Sequence, residues 1–404
     1  MPDEKSKPGT GQGAAKRQSG VGNWRMDTLL THAGLSPHEF HGFVNPPLVR
    51  ASTVLFPDVD AMLERKGQRY SYGLTNTPTI EALVEALDLL DGAVGTVLVP
   101  SGLAAVTTAI LTAVRPGGTL LVPDNVYAPT RRFCDESLPA FGVETIYYDP
   151  LIGAGIADRL GGASALFLEA PGSHSFEMPD LPALVAAALS AGVMTMLDNT
   201  WATPLIYKPL EHGVDLAITA GTKYQAGHSD LLIGSVSANA AAWPALRQLH
   251  KNLGTQAGTE EIWLTLRGLR TMGIRLERHE RSALEVARWL QNRPEVARVL
   301  HPALPDDPGH AIWKRDFGRS TGLFGFVLHG EERQAKSFLN ALRLFGLGFS
   351  WGGFESLAVL GEMAECRTVR PWTEGPVIRL HVGLEDVQDL IADLDAGFDA
   401  MAAG

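Results

Sequence analysis

Short apolar runs rich in β-branched residues alternate with helical patterns from about residue 95 onwards, and this alternation constrains the fold more than any other feature of the sequence. Seven such runs precede residue 240, namely T-V-L-V (96–99), T-L-L-V (119–122), E-T-I-Y-Y (144–148), A-L-F-L-E (165–169), V-M-T-M-L (193–197), L-A-I-T (216–219) and L-I-G-S-V (232–236). Strands that alternate with helices are typical of a mostly parallel sheet covered on both faces. We therefore predict an α/β fold whose large domain holds a seven-stranded, mostly parallel sheet flanked by helices.

The C-terminal part of the chain predicts a smaller α/β domain. Strand patterns at 296–301, 323–329 and 377–382 are mixed with helical ones, and a closing helix is predicted from Glu385. A long helical segment at about 259–291 precedes them. Its arginines are interleaved with glutamates, which indicates a solvated or subunit-contacting face with ion pairs. These residues are Arg267, Arg270, Arg275, Arg278 and Arg281, with Glu277 and Glu280 among them.

The N-terminal part lacks the apolar periodicity of a packed unit. Residues 1–22 are rich in Gly, Lys, Ser and Gln, so they bury too little apolar surface to offset the entropy cost of ordering, and we predict a disordered tail. Three prolines and weak periodicity predict an extended arm at 23–72 that contacts a neighbouring subunit. The large domain then spans 73–268 and the small domain 269–404.

Composition narrows the class of ligand. A net charge of −11 and a pI near 5.6 argue against nucleic acid or an anionic membrane as partner and favour a small molecule. Two cysteines cannot form a disulfide framework, and no C-x-x-C or H-E-x-x-H spacing is present, so no metal is expected. No apolar run follows the first basic residues or reaches the length of a membrane span, and we expect a cytoplasmic protein.

Candidate binding residues follow the ends of the predicted strands, where ligands bind in open α/β sheets. Gly102 and Leu103 follow the first run and open a helix, whose N–H groups could hold a phosphate. The same pattern is also found in ordinary turns between a strand and a helix. A dinucleotide site is not indicated, because no G-x-G-x-x-G motif is present. The sequence therefore leaves a phosphate site as one of two interpretations here.

Asp198 and Lys223 end successive strand units, 25 positions apart. A carboxylate after an apolar strand needs a partner, which is a protonated pyridine nitrogen, a structural arginine or the start of the next helix. An amine shielded from water can lose its proton and bond covalently to a carbonyl carbon. One planar ring between the two side chains would satisfy both.

Six motifs carry a resemblance to a known family: M-D-T-L-L-T-H-A-G (26–34), D-N-T-W (198–201), T-K-Y-x-x-G-H-S-D (222–230), H-P-A-L-P (301–305), S-W-G-G-F-E-S (350–356) and I-R-L-H-V-G-L-E-D (378–386). From about Asp27 to its C-terminus the chain resembles the Cys/Met-metabolism family of fold-type I enzymes that depend on pyridoxal 5′-phosphate (PLP). The resemblance implies a homotetramer, built as a dimer of dimers, with active sites shared across the dimer interface.

The resemblance also implies a role for individual residues. Lys223 matches the lysine that carries the cofactor, Asp198 its pyridinium partner, and Tyr127 the tyrosine that stacks on the ring. The phosphate site is matched by Gly102, Leu103, Thr222 and by Tyr72, which is expected to enter from the neighbouring subunit. The substrate site is matched by Arg379, which binds the α-carboxylate, and by Ser350 and Trp351. Catalytic roles are expected for Lys223, Tyr127 and Tyr72.

The activity implied is β-elimination from L-cystathionine, because Trp351 stands where γ-specific relatives commonly have leucine. Cysteine or cystine β-lyase activity, a γ-family activity such as that of a methionine γ-lyase, and a non-catalytic protein of this fold that binds a ligand or partner remain alternatives. Two positions depart from the family pattern. Leu74 replaces an arginine that adds charge at the phosphate, and Phe349 replaces a tyrosine near the substrate.

Overall fold

The computed structural model describes residues 24–64, 67–363 and 367–403. The predicted disordered tail at 1–22 lies outside these residues, and so does Cys366, one of the two cysteines of the sequence. Among the residues described, no helix is both long and apolar enough to cross a membrane. The same residues hold no group of three or more His, Cys, Asp or Glu side chains placed to bind a metal ion.

Seven strands of the described chain form one sheet in the order β1-β7-β6-β5-β4-β2-β3, which confirms the predicted large-domain sheet. They are β1 (Gly95–Val99), β2 (Thr119–Pro123), β3 (Glu144–Tyr148), β4 (Ala163–Glu169), β5 (Met194–Asp198), β6 (Leu216–Thr219) and β7 (Gly234–Ala238). Strand β7 runs antiparallel to β1 and β6, and the other neighbouring pairs are parallel. The carboxyl ends of β1, β4, β5 and β6, as placed by these pairings, frame the site described below.

Helices cover both faces of this sheet, and β4 shows why its strands are apolar throughout. Leu166 and Leu168 belong to one buried cluster and Ala165 and Phe167 to another, because successive side chains point to opposite faces. Helices of this part are α1 (Met26–His32), α2 (Val59–Glu64), α3 (Pro78–Asp91), α4 (Gly102–Ala113), α5 (Ala128–Arg132), α6 (Leu181–Ala191), α7 (Thr203–Ile206) and α8 (Trp243–Leu253).

A second sheet of the described chain has the strand order β10-β11-β12-β9-β8 and forms the smaller α/β unit. Its strands are β8 (Val296–Leu300), β9 (Leu323–Leu328), β10 (Gly346–Leu347), β11 (Leu357–Gly361) and β12 (Val377–His381), with helices α9 (Thr259–Leu290), α10 (His310–Asp316), α11 (Glu332–Ala341) and α12 (Val387–Ala403). The sequence missed β10 and β11, because runs of two and five residues show no reliable period. The predicted boundary between the large and the small domain, at 268/269, lies inside α9 and stays a prediction.

The arm is less extended than its prolines suggest. It contains α1, α2 and a 3-10 turn at Pro37–Phe40. Helix α1 packs on the large domain through Leu30, whose carbonyl oxygen accepts a 2.7 Å hydrogen bond from Arg270. Beyond α1 the arm exposes large apolar side chains, among them Phe43 and Leu55.

Arg275 of α9 corrects the interpretation of the arginine-rich helix. Its side chain is buried, and its Nη2 donates to the carbonyl oxygens of Tyr224 and Gly268 at 2.8 and 2.9 Å. The expected solvated or subunit-contacting face is therefore wrong for this residue. Arg275 instead supports the chain segment that follows Lys223.

Candidate active site

A cavity of about 250 Å³ lies at the carboxyl ends of β1, β4, β5 and β6 and is closed on one side by the small domain. It brings together most of the residues that the sequence predicts. Lining it are Gly102, Leu103, Tyr127, Asp198, Thr222, Lys223, Trp351 and Arg379. Ser350 lies behind Lys223 and contacts its amine. Tyr72 is not among the lining residues of the same chain.

Lys223 presents its amine inside this cavity, in the loop that follows β6. The Nζ atom donates to Ser350 Oγ at 2.7 Å and lies 5.2 Å from the ring centre of Trp351. Burial and the positive charge of Arg379 lower the pKa of Lys223 to about 8, although Asp198 opposes them. A substantial fraction of this amine is therefore neutral near physiological pH, as a nucleophile or base requires.

Asp198 ends β5 beside a second buried carboxyl group. Its Oδ1 accepts from the N–H of Thr200 at 3.0 Å, and burial raises its pKa. Glu169 stands opposite Asp198 in the β4–β5 register. Burial, followed by the charge of Asp198, raises the pKa of Glu169 well above its usual value. The pair can therefore carry one proton, which leaves a single negative charge to meet a cation in the cavity.

Tyr127 is held at the entrance by this second carboxyl group. The Glu169 Oε2 atom accepts from the backbone N–H of Tyr127 at 2.9 Å, at the start of α5. The Tyr127 side chain stays partly exposed in the cavity wall. Its position suits stacking on a planar ligand.

The first turn of α4 supplies anion-binding groups. Ser101 caps this helix by accepting from the N–H of Ala104 at 3.1 Å, whereas the N–H groups of Gly102 and Leu103 belong to the turn that has no intrahelical partner. The hydroxyl of Thr222 closes a local turn instead, donating to the carbonyl oxygen of Ile233 at 3.0 Å. Because that proton is already used, the role of Thr222 at a phosphate stays a prediction.

Arg379 on β12 brings the small domain to the cavity. Its Nη2 donates to the carbonyl oxygen of Ser350 at 3.1 Å, whereas its buried Nε finds no partner among the described residues. Burial lowers the pKa of Arg379 to about 10, so the side chain stays charged at neutral pH. A partly buried guanidinium with a free donor can bind a carboxylate.

The loop that carries Ser350 and Trp351 lies directly on the backbone of Lys223. Gly352 has φ +85°, and a Cβ atom there would lie 3.1 Å from the Cα atom of Lys223. The ring of Trp351 packs beside Tyr224 with ring centres 5.4 Å apart. This close approach fixes where Trp351 meets the cavity.

A family model of the Cys/Met metabolism PLP-dependent enzymes matches residues 27–399. The chain belongs to this family. It is 54% identical to a putative cystathionine β-lyase of Rhizobium johnstonii over 94% of this chain and 98% of that protein. It is 43% identical to the cystathionine β-lyase MetC of Escherichia coli over 93% and 98% of the two chains. A solved cystathionine γ-synthase of Xanthomonas oryzae superposes with a TM-score of 0.89 at 31% identity, covering 95% of this chain and all of that one.

The cavity fits the cofactor of this PLP-dependent family. It offers N–H groups of a helix start for a phosphate, a buried carboxylate for a ring nitrogen and an amine for a carbonyl carbon, contributed by Gly102, Asp198 and Lys223. The partly buried Asp198 makes polar contacts with Thr200, and an arriving cation would offset the desolvation that raises the pKa of Asp198.

Tyr72, Leu74 and Phe349 do not line the cavity. The side chain of Tyr72 is 49% exposed, and its backbone bridges to Thr53 of the arm. Leu74 is 44% and Phe349 89% exposed. These positions are open to a neighbouring chain.

Sequence analysis missed two titratable residues of the cavity wall, Glu169 and His174. Glu169 could have been found, because it is the last residue of the predicted strand at 165–169. His174 follows in the next loop and lines the cavity near Arg379. No local pattern marks His174, since its position depends on how that loop meets the small domain.

Proposed function

We propose that this protein is a cystathionine β-lyase that converts L-cystathionine and water to L-homocysteine, pyruvate and ammonia. The observation that carries the proposal is the partly buried Lys223 amine, which shares one cavity with Asp198 and Arg379 and lies 5.2 Å from the ring centre of Trp351. Names of relatives that are 54% and 43% identical over nearly the full chain support the same reaction.

Several residues would hold PLP in this cavity. The N–H groups of Gly102 and Leu103 would bind the phosphate, together with Tyr72 from a neighbouring subunit and, by family resemblance, Thr222. Asp198 would pair with the ring nitrogen, Tyr127 would stack on the ring, and Lys223 would be the point of covalent attachment. When bound, PLP withdraws electrons from the substrate Cα atom.

Arg379 would orient the substrate. Its partly buried guanidinium suits the α-carboxylate, which would place the Cα–H bond of the substrate within reach of the Lys223 amine. Because Arg379 is itself held by the carbonyl oxygen of Ser350, carboxylate and amine are positioned by one residue. Such positioning contributes to the rate by pre-organising the reacting atoms.

Lys223 would move the protons. With a pKa lowered to about 8, its amine can take the proton from the substrate Cα atom. As the Cβ–S bond breaks, the electron pair leaves with sulfur, and the protonated amine returns a proton to that sulfur. Homocysteine is released, and water converts the remaining three-carbon fragment to pyruvate and ammonia.

Trp351 supports β-elimination over γ-elimination. Its indole ring lines the cavity beside the proposed base, with its centre 5.4 Å from the Tyr224 ring centre and 5.2 Å from the Lys223 amine, and γ-specific relatives commonly have leucine at this position. Ser350, which binds Lys223, completes this part of the proposed substrate site.

Exposed apolar residues support an oligomer, and we include a homotetramer built as a dimer of dimers in the proposal. Within the arm, Phe43, Leu55 and Leu63 are 71%, 85% and 73% exposed. Covering them with a second copy would remove apolar surface from water and bring Tyr72 to a neighbouring cavity. Sedimentation of the holoenzyme tests the assembly, and a monomer at micromolar concentration would refute the proposed tetramer.

The cytoplasm is the location that we propose for this protein.

Product analysis tests the reaction. Purified protein with added PLP is given L-cystathionine, L-cystine, L-cysteine or L-methionine at matched concentrations, and pyruvate and 2-oxobutyrate are measured in parallel. We expect pyruvate with homocysteine, highest for cystathionine. Dominant 2-oxobutyrate would overturn the proposal in favour of a γ-lyase, and a preference for cystine or cysteine would overturn the substrate.

A further inference from the structure

The loop after β4 crosses from the large domain onto the small-domain sheet. His174 and Phe176 have φ values of +59° and +53°, in the left-handed region that non-glycine residues seldom adopt. They lie over two glycines. A Cβ atom on Gly325 would come within 3.2 Å of the Phe176 ring, and one on Gly361 within 3.2 Å of His174 Nδ1. The loop is therefore seated where the sheet has no side chains.

These glycines flank Arg379. Gly325 of β9 pairs directly with Arg379 of β12, and Gly361 of β11 pairs with Val377, two residues earlier on the same face. The contact between His174 and Gly361 therefore places the imidazole beside the arginine. Consistent with this placement, burial and the Arg379 charge lower the pKa of His174 to about 4, so the ring is neutral at physiological pH.

The two ring nitrogens of His174 differ in surroundings. Nδ1 is buried and finds no hydrogen-bond partner among the described residues. The ring nevertheless lines the cavity that holds Lys223, Asp198 and Arg379. A neutral imidazole has one N–H donor and one acceptor nitrogen. With Nδ1 enclosed beside Gly361, Nε2 is left to face the cavity.

We propose that His174 is a second binding residue for the substrate α-carboxylate, its Nε2–H donating to an oxygen that Arg379 also attracts. The inference deepens the proposed function, and it requires only that the substrate is an amino acid. A neutral donor suits this position, because it adds a directed hydrogen bond without a second buried cation beside Arg379. The unpartnered Nδ1 lowers the stability of the folded chain, and an apolar ring would avoid that loss. An imidazole at this position is therefore better explained by binding than by packing.

Two variants separate this role from a structural one. His174→Phe keeps the ring and removes both nitrogens, whereas His174→Asn suits the left-handed backbone but is too short to reach the same atom. His329→Leu, at an exposed histidine after β9, is the matched control. Each holoenzyme is titrated with glycine and with glycinamide, which lacks the carboxylate, and the visible absorption of the bound cofactor reports binding.

We expect His174→Phe to weaken glycine binding about tenfold and glycinamide binding less than twofold relative to the unmodified protein. His174→Asn should do the same, and His329→Leu should change neither. The melting temperature of His174→Phe should equal or exceed that of the unmodified protein, which a structural role would not give. If His174→Phe does not fold, His174→Asn alone decides.

Equal weakening of glycine and glycinamide, or no change in either, would overturn the inference. The titration does not depend on which bond the enzyme breaks. If the parent protein forms no pyruvate but the His174 variants lose affinity for glycine alone, the proposed reaction is refuted and the role of His174 stands. If the parent protein forms pyruvate but the His174 variants bind glycine as tightly as the parent, the role of His174 is refuted and the proposed reaction stands.

Discussion

The amine of Lys223 donates a 2.7 Å hydrogen bond to the hydroxyl oxygen of Ser350, although the two residues are 127 positions apart. Ser350 has φ +80° and also offers its carbonyl oxygen to Arg379. One residue of the small domain thus contacts both the proposed base and the proposed carboxylate-binding group. A positive φ strains the backbone of a non-glycine residue, and residues strained in this way often lie at active sites, where the surrounding structure holds them in place.

Replacement of Ser350 by alanine should misplace the Lys223 amine. Leaving the amine without this partner costs about 1–3 kcal/mol, so we expect kcat to fall about tenfold. Because the carbonyl oxygen of residue 350 is retained, KM should change less than threefold. Steady-state kinetics of S350A test this, with the exposed Ser190→Ala as control. A rise in KM at unchanged kcat would contradict the expected division of roles.

Lys223→Ala should abolish turnover and leave the fold intact. The substitution removes a partly buried amine whose pKa is lowered to about 8, and such a group favours unfolding at pH 7, because the unfolded chain binds the proton more tightly. The cofactor-free variant should therefore melt no lower than the cofactor-free parent at pH 7. Activity above a few per cent of the parent would refute Lys223 as the base.

Glu169 should act in its protonated form. Burial and the Asp198 charge raise its pKa, so glutamine closely mimics the neutral acid and can still accept from the Tyr127 N–H. We expect E169Q to keep kcat/KM within about threefold of the parent. E169A leaves that N–H without its partner at about 1–3 kcal/mol, and we expect at least a tenfold loss with a lower melting temperature. Strong impairment of E169Q would show that a charged carboxylate is required.

The sequence predicted the large sheet and placed several candidate residues in one cavity, because both depend on local patterns. Asp198 and Lys223 follow strands of the parallel sheet, so a rule about strand ends brought them together before any distance was known. Arg275 and His174 could not be found in this way. The helical pattern around Arg275 is the same for a solvated and a buried arginine, and the loop carbonyl oxygens that it binds, those of Tyr224 and Gln225, lie 51 and 50 positions away in the sequence.

Tyr72 shows a second limit of sequence analysis. Its predicted role depends on a neighbouring subunit, and it stays a prediction because within one chain the residue lies on the surface. If a partner buries it, Tyr72→Phe should weaken cofactor retention in the assembled protein. Dialysis of the holoenzyme, followed by absorbance of the remaining cofactor, measures that loss, and equal retention by both proteins would count against the shared site.

Asp88 and Asp91 of α3 should make stability fall as pH rises from about 4 to about 7. Asp88 accepts from Thr96 and Asp91 from Ser237, and these two hydroxyls lie 2.9 Å apart, so the carboxyl groups share one buried network. Burial raises their pKa values to about 7 and about 6, respectively. The folded chain therefore holds protons that the unfolded chain releases near pH 4, and each pH unit in this range favours unfolding until the folded groups also ionise.

Asp91→Asn isolates this effect, because asparagine retains an oxygen that can accept from Ser237 but does not titrate. A displacement of about two pKa units corresponds to roughly 2–3 kcal/mol. We expect urea unfolding of the holoenzyme to show D91N gaining stability over the parent by on the order of 2 kcal/mol at pH 8 relative to pH 4. Asp399→Asn, at an exposed position of α12, should show no such dependence. A gain of D91N that is the same at both pH values would mean that the Asp91 carboxyl group is not held protonated in the folded chain, which would contradict the prediction.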